Sequence, residues 1–220
     1  MLTLIKREIY DNIAYFAGAI VFSLIIIIIM LSAAYARYNL PPEEAPAFAI
    51  GLSALAIGLS LPVIVILTIG FTAMGVSQMY IDRNRKISAF ISTLPVTRGR
   101  ILTARIIAGI LAILTFFLPL IITTIIICRL FAPQIPIIDG LFFDIYTVTL
   151  LTFFACYCVG LQTGWKSGRL VPTLGGLFLA CVLVPIFIIK GFDSQVLLLL
   201  IIFIIASVIR IRQKFMSTSL

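Results

Sequence analysis

From Ala45 to Ile81 the chain runs for 37 residues without one charged side chain. A helix of about 20 apolar residues crosses the ~30 Å hydrocarbon layer of a bilayer, so this run alone is long enough to span one. Runs of the same kind recur over Ile13–Ala36, Ile106–Cys128, Leu141–Gly164, Leu170–Ile189 and Phe192–Ile209. Composition excludes a soluble core as their destination. The 220 residues are 62% hydrophobic and 11% charged, against about 45–50% and about 25% in soluble domains. Lipid has to cover the remainder. The sequence predicts one all-α membrane domain over residues 1–220, with no extramembrane unit large enough for a core of its own.

The long run at 45–81 fits one helix or two short ones turning near Gly58–Pro62, and charge decides between them. With one helix, thirteen basic residues share the amino-terminal side: Lys6, Arg7, Arg83, Arg85, Lys86, Arg98, Arg100, Arg105, Lys166, Arg169, Arg210, Arg212 and Lys214. Arg37, Arg129 and Lys190 face the other side. Two helices would put the basic segment 82–105 outside, against the positive-inside rule. The expectation is therefore six transmembrane helices, at about 13–36, 47–79, 101–128, 141–164, 170–189 and 192–209. Both termini are then cytoplasmic, in a cell (inner) membrane. Pro62 is expected to bend the second span and Pro119 to kink the third. The sixth is short, so Arg210 and Arg212 are expected to snorkel.

The first apolar run resembles a signal peptide, with Lys6 and Arg7 before it and Ala34-Tyr35-Ala36 behind. A cleavable apolar region has about 7–15 residues and this one is 24, so it reads as a retained helix. Ahead of it, Leu2, Ile5, Ile9 and Ile13 recur at helical spacing opposite Lys6, Arg7 and Asp11. That is the pattern of an interfacial helix, and also of an ordinary basic flank.

Most chemistry is excluded by what the chain lacks. It has no histidine, hence no histidine zinc ligand, Ser–His dyad or histidine proton relay. Cys128, Cys156, Cys158 and Cys181 lie in or beside apolar runs without metal-ligand spacing. Asp144, at the outer end of the fourth span, reads as an interfacial residue rather than an ion-coupling one. The net charge of +8 sits at span ends rather than on a face for nucleic acid. The closest approach to a phosphate-binding loop, Gly160-Leu161-Gln162-Thr163-Gly164-Trp165-Lys166-Ser167, has Trp165 where the second glycine belongs.

The largest predicted cytoplasmic loop is the informative one. Ile87, Phe90, Ile91 and Leu94 form one apolar stripe on a short helix that Asp82 or Asn84 can start and Pro95 stops. The stripe is too small for a core and needs headgroups, helix ends or a partner's groove. Next come Leu94-Pro95-Val96-Thr97-Arg98, then Arg105 and Gly109. This segment, about residues 79–110, resembles the type-2 ATP-binding-cassette permeases, although its acidic residue is Asp82 rather than a Glu just before the Leu-Pro. The resemblance implies a coupling helix between spans two and three, touching a separate ATPase through Ile87, Phe90, Ile91, Leu94, Pro95 and Arg98. It also implies cytoplasmic ATPase subunits, a second permease copy or paralogue, and an exporter in which ATP and Mg belong to the partner. This chain would then bind no cofactor and be no enzyme itself.

Other small features point less far. Ala47, Gly51, Ala54 and Gly58 share a face that lets a helix approach closely, either at a dimer seam or within the protomer. Thr68 and Thr72 either line a path or bond their own backbone. A non-transporting accessory subunit that binds a partner through 82–100 is the main alternative. An ion-coupled transporter lacks its carboxylate pair and internal repeat, and an intramembrane enzyme lacks its polar constellation.

Overall fold

The computed structural model describes residues 2–38, 65–80, 98–131, 136–164 and 194–217. Six helices run through them: α1 (Leu2–Asp11), α2 (Ile13–Tyr38), α3 (Val65–Tyr80), α4 (Arg98–Phe131), α5 (Pro136–Thr163) and α6 (Ser194–Ser217). Four contain stretches long and apolar enough to cross a membrane: Ile13–Ser32, Gly99–Ile126, Tyr146–Thr163 and Gln195–Met216. The described part of the chain is thus an all-helical membrane protein. The expected coupling helix, the small-residue face at Ala47, Gly51, Ala54 and Gly58, and the expected fifth span lie outside the described residues.

Helix is what an apolar solvent dictates, since each backbone N–H and C=O must find a partner inside its own segment. That requirement sustains α2 through Ile25–Ile29, a β-branched tract of weak helix propensity in water. Proline sets one start: Pro136 opens α5, where its missing N–H costs nothing. Hydroxyls that would compete with the helix are turned back onto it; Ser23, Thr115, Thr123 and Thr152 donate to carbonyls three or four residues earlier. Boundaries of α4, α5 and α6 differ from expectation. α4 continues through Pro119 to Phe131 rather than stopping at Cys128. α5 begins at Pro136, before Leu141. α6 continues past Ile209 to Ser217, because no glycine or proline interrupts its 24 residues.

Contacts fix the directions of the helices. Phe71 meets Phe153 with ring centroids 5.5 Å apart, and eight residues further on Met79 lies against Gly164, so α3 and α5 run parallel. Tyr157 bonds to Arg105 at one end of α4, and Tyr146 to Thr124 (2.6 Å) near the other, so α4 and α5 are antiparallel. Gln162 of α5 reaches the Ser207 carbonyl of α6 at 3.4 Å, and Val148 shares an apolar cluster with Val196 and Leu200. At ~1.5 Å per residue, only a parallel pair satisfies both contacts. α6 therefore follows α5 in the same direction.

α3 sits at the centre. Leu67, Thr68, Phe71, Thr72, Met74, Gly75, Val76, Gln78 and Met79 are all buried. An aromatic layer of Phe71, Phe116, Phe117 and Phe153 packs around it with centroids 5.3–6.5 Å apart. The outside is apolar. Ile20, Leu24 and Ile28 on α2, Leu118, Ile122 and Ile125 on α4, and Leu198, Ile202 and Ile205 on α6 are exposed. Faces this apolar suit acyl chains rather than water.

Candidate functional site

The described residues contain one deeply buried ionic cluster, and it gathers at a single end of the helices. Arg105, seven residues into α4, is 1% exposed. Its Nε donates to Glu8 Oε1 of α1 at 3.3 Å, and its Nη1 to Met79 Sδ of α3 at 3.5 Å. A guanidinium stays charged wherever it is put, so a carboxylate has to come to it. Glu8 does so because α1 folds back onto α4. Leu4, Ile5, Glu8, Ile9 and Asn12 turn toward the protein, while Leu2, Tyr10 and Ile13 are exposed. The apolar stripe expected along α1 is therefore divided, and a carboxylate lies at the middle of the inward arc. Asn12, 3% exposed, separates α1 from α2. Its Nδ2 donates to the Glu8 carbonyl at 2.8 Å, closing the end of α1, and its own carbonyl accepts from Tyr15 N–H at 2.9 Å.

Next to the ion pair lies Tyr157 of α5, wholly buried. Its hydroxyl is 2.7 Å from Gln78 Oε1 and 2.8 Å from the Arg105 carbonyl. One proton cannot serve two acceptors, and Gln78 Nε2 has no partner. Turning the amide resolves the first, since Nε2 then donates to the hydroxyl and the hydroxyl donates to Arg105, and it puts the oxygen rather than the NH2 group in the position without a partner. Room for the ring comes from Gly109, where a Cβ would strike Tyr157 Cζ and Cε1.

Glycines also bring α3 and α5 together. A Cβ on Gly75 would stand 2.6 Å from the Tyr157 carbonyl, one on Gly160 would strike the Thr72 carbonyl, and one on Gly164 would stand 2.8 Å from Met79 Cβ. Gly160 and Gly164 are spaced as in small-xxx-small helix contacts. The segment that comes closest in sequence to a phosphate-binding loop thus contributes a helix-packing seam. Thr68 and Thr72 face it; both are buried, and Thr72 Oγ1 donates to the Thr68 carbonyl at 2.7 Å.

Of the candidate contact residues, Ile87, Phe90, Ile91, Leu94 and Pro95 lie outside the described residues, and Arg98 is the first residue of α4. The cluster joins the two helices that flank this segment, because Met79 precedes it, Arg105 follows it, and the two side chains touch. Its chemistry is electrostatic and mechanical: it ties α1, α3, α4 and α5 at one level. Removing one member of such a buried pair costs about 3–5 kcal/mol, because the other charge is stranded. No protein-family model, no curated protein and no solved structure matches the chain.

Proposed function

We propose that this chain is the membrane-spanning subunit of an ATP-driven exporter, working with separate cytoplasmic ATPase subunits and a second permease copy or paralogue. The observation that supports this most is the contact of Met79 with Arg105 at the roots of the segment resembling a coupling loop. A force applied to residues 81–97 enters α3 and α4 where they are already tied to each other and to α1. In this reading the loop helix docks on the ATPase through Ile87, Phe90, Ile91 and Leu94. ATP and Mg are held by the partner.

The six-span topology belongs to the same proposal, and helix direction supports it. α2 and α4 run away from the ionic cluster; α3, α5 and α6 run toward it. Since α5 and α6 follow one another in the same direction, the chain has to return between them, the role expected of 170–189. Positive-inside charge puts the cluster end in the cytoplasm, with α1 at the headgroup level.

Phe90→Asp tests the coupling. It removes an apolar contact worth about 1.5–3 kcal/mol and adds a carboxylate at the interface. We expect normal insertion, but loss of ATPase pull-down and of transport-linked ATP hydrolysis. Arg98→Ala and Arg100→Ala should do less, because exposed rim charges contribute little. Full coupling in correctly inserted Phe90→Asp would remove the docking role from this stripe. Purification in mild detergent without any protein carrying a phosphate-binding loop would remove the exporter reading.

A further inference from the structure

The charges of Glu8 and Arg105 are a costly way to hold two helices together. Two well-packed apolar side chains would do it at least as well, because stripping water from a carboxylate and a guanidinium offsets most of their attraction. What an ion pair offers beyond an apolar contact is steepness. It is strong when closed, and parting it gives up a buried charge-assisted hydrogen bond all at once.

The way α1 is attached suits such behaviour. At ten residues it is shorter than the roughly 12–15 that a helix needs to persist alone in water, so it depends on what it docks against. It is joined to α2 through a one-residue break at Asn12. Around Glu8 its inward side chains Leu4, Ile5 and Ile9 are only half-buried. Its outward arc carries exposed Leu2 and Tyr10 beside exposed Lys6 and Arg7, a composition suited to lipid headgroups. Arg105 also touches Met79, so a shift of the end of α3 against the start of α4 acts directly on the guanidinium that holds α1.

We propose that Glu8–Arg105 is an ionic latch. When closed, it holds the N-terminal helix on the ends of α3 and α4; when opened by a shift of those ends, it frees α1 to swing about Asn12. The latch does not depend on the exporter reading, and its test involves no ATPase.

The full chain is placed in nanodiscs of zwitterionic phospholipid and treated with trypsin. Release of the N-terminal peptide ending at Lys6 or Arg7 is followed by mass spectrometry. Docked α1 is a poor substrate. Arg105→Met leaves the cleavage sites at Lys6 and Arg7 unchanged but takes from Glu8 the guanidinium that holds α1 on α4, and should speed release by about 100-fold or more, the shift expected when one member of a buried pair is removed. The neutral Glu8→Gln/Arg105→Met should restore protection, and so should the charge-exchanged Glu8→Arg/Arg105→Glu, whose added tryptic site at position 8 is allowed for by referring its rate to that of the same variant unfolded in detergent. If Arg105→Met does not insert while the neutral double variant does, the carboxylate deprived of its arginine is the cause and the latch stands. Release from Arg105→Met at the wild-type rate overturns it. So does an exchanged pair that leaves the peptide open or fails to insert.

Discussion

Glycines at single positions separate close approach from mere tolerance. Gly109 admits the Tyr157 ring, and a methyl group there has no free direction, since the ring is wholly buried and its hydroxyl is bonded on the far side. Gly109→Ala should therefore cost about 1–3 kcal/mol, as overpacking does. Gly70, also helical, has open space for 4 Å around the point a Cβ would occupy, so Gly70→Ala should be neutral or gain about 0.5–1 kcal/mol through helix propensity. Unfolding midpoints in mixed detergent check the contrast; equal midpoints would mean that the Tyr157 pocket yields. In the sequence, Arg105 is visible as a basic residue next to a long apolar run, and such a residue needs an acid once it is buried. The charge count that orients the chain leaves three acids on its side, Glu8, Asp11 and Asp82. Choosing Glu8 takes one further step, placing it on the helical arc beside Ile5 and Ile9. Gln78 and Tyr157 give no such signal, because one amide and one hydroxyl among apolar residues fit many environments.

Among the elements, hydropathy locates α2, α4, α5 and α6, because lipid allows little besides helix. It misses their ends, which depend on local breakers: Pro136 opens α5, α4 runs past Cys128 to Phe131, and α6 has no breaker before Ser217. The α3–α5 seam is also missed, since Gly160 and Gly164 attract attention as phosphate-loop glycines until a facing helix is known. Backbone on backbone leaves this seam little adaptability. Gly160→Leu should push α3 off α5 at the Thr72 carbonyl and expose the buried thiol one turn before it, Cys156, while Cys158, on the other side of α5, stays covered. Modification of Cys156 by N-ethylmaleimide, read site by site by mass spectrometry, should accelerate at least about tenfold, since burial is what keeps structural cysteines inert. Unchanged reactivity would show that the helices pack without the glycines.

At the scale of the molecule, the described helices have an apolar outside and a polar knot at one end, the reverse of a soluble domain at its surface and unlike a uniformly greasy bundle within. The proposed orientation puts that end in the cytoplasm. Engineered cysteines at Glu43 or Gln134 should then react with an impermeant thiol reagent applied outside intact cells, and those at Arg85 or Ser217 should not; outside labelling at Arg85 would overturn the proposed topology. The parallel course of α5 and α6 also sets a minimum length. With Gln162 level with Ser207, the start of α6 lies thirteen residues, or ~20 Å, along the helix axis from the end of α5. In water about six extended residues would bridge that distance, but in hydrocarbon an extended strand leaves its peptide groups unpaired, and the helical return proposed for 170–189 would need about thirteen. The 29 residues from 165 to 193 leave about sixteen for the two turns. Hairpin connections elsewhere in such a chain can be trimmed to a handful of residues over evolutionary time. This one can drift in sequence and grow, yet it cannot shrink far without turning α6 over and carrying its basic tail to the opposite face.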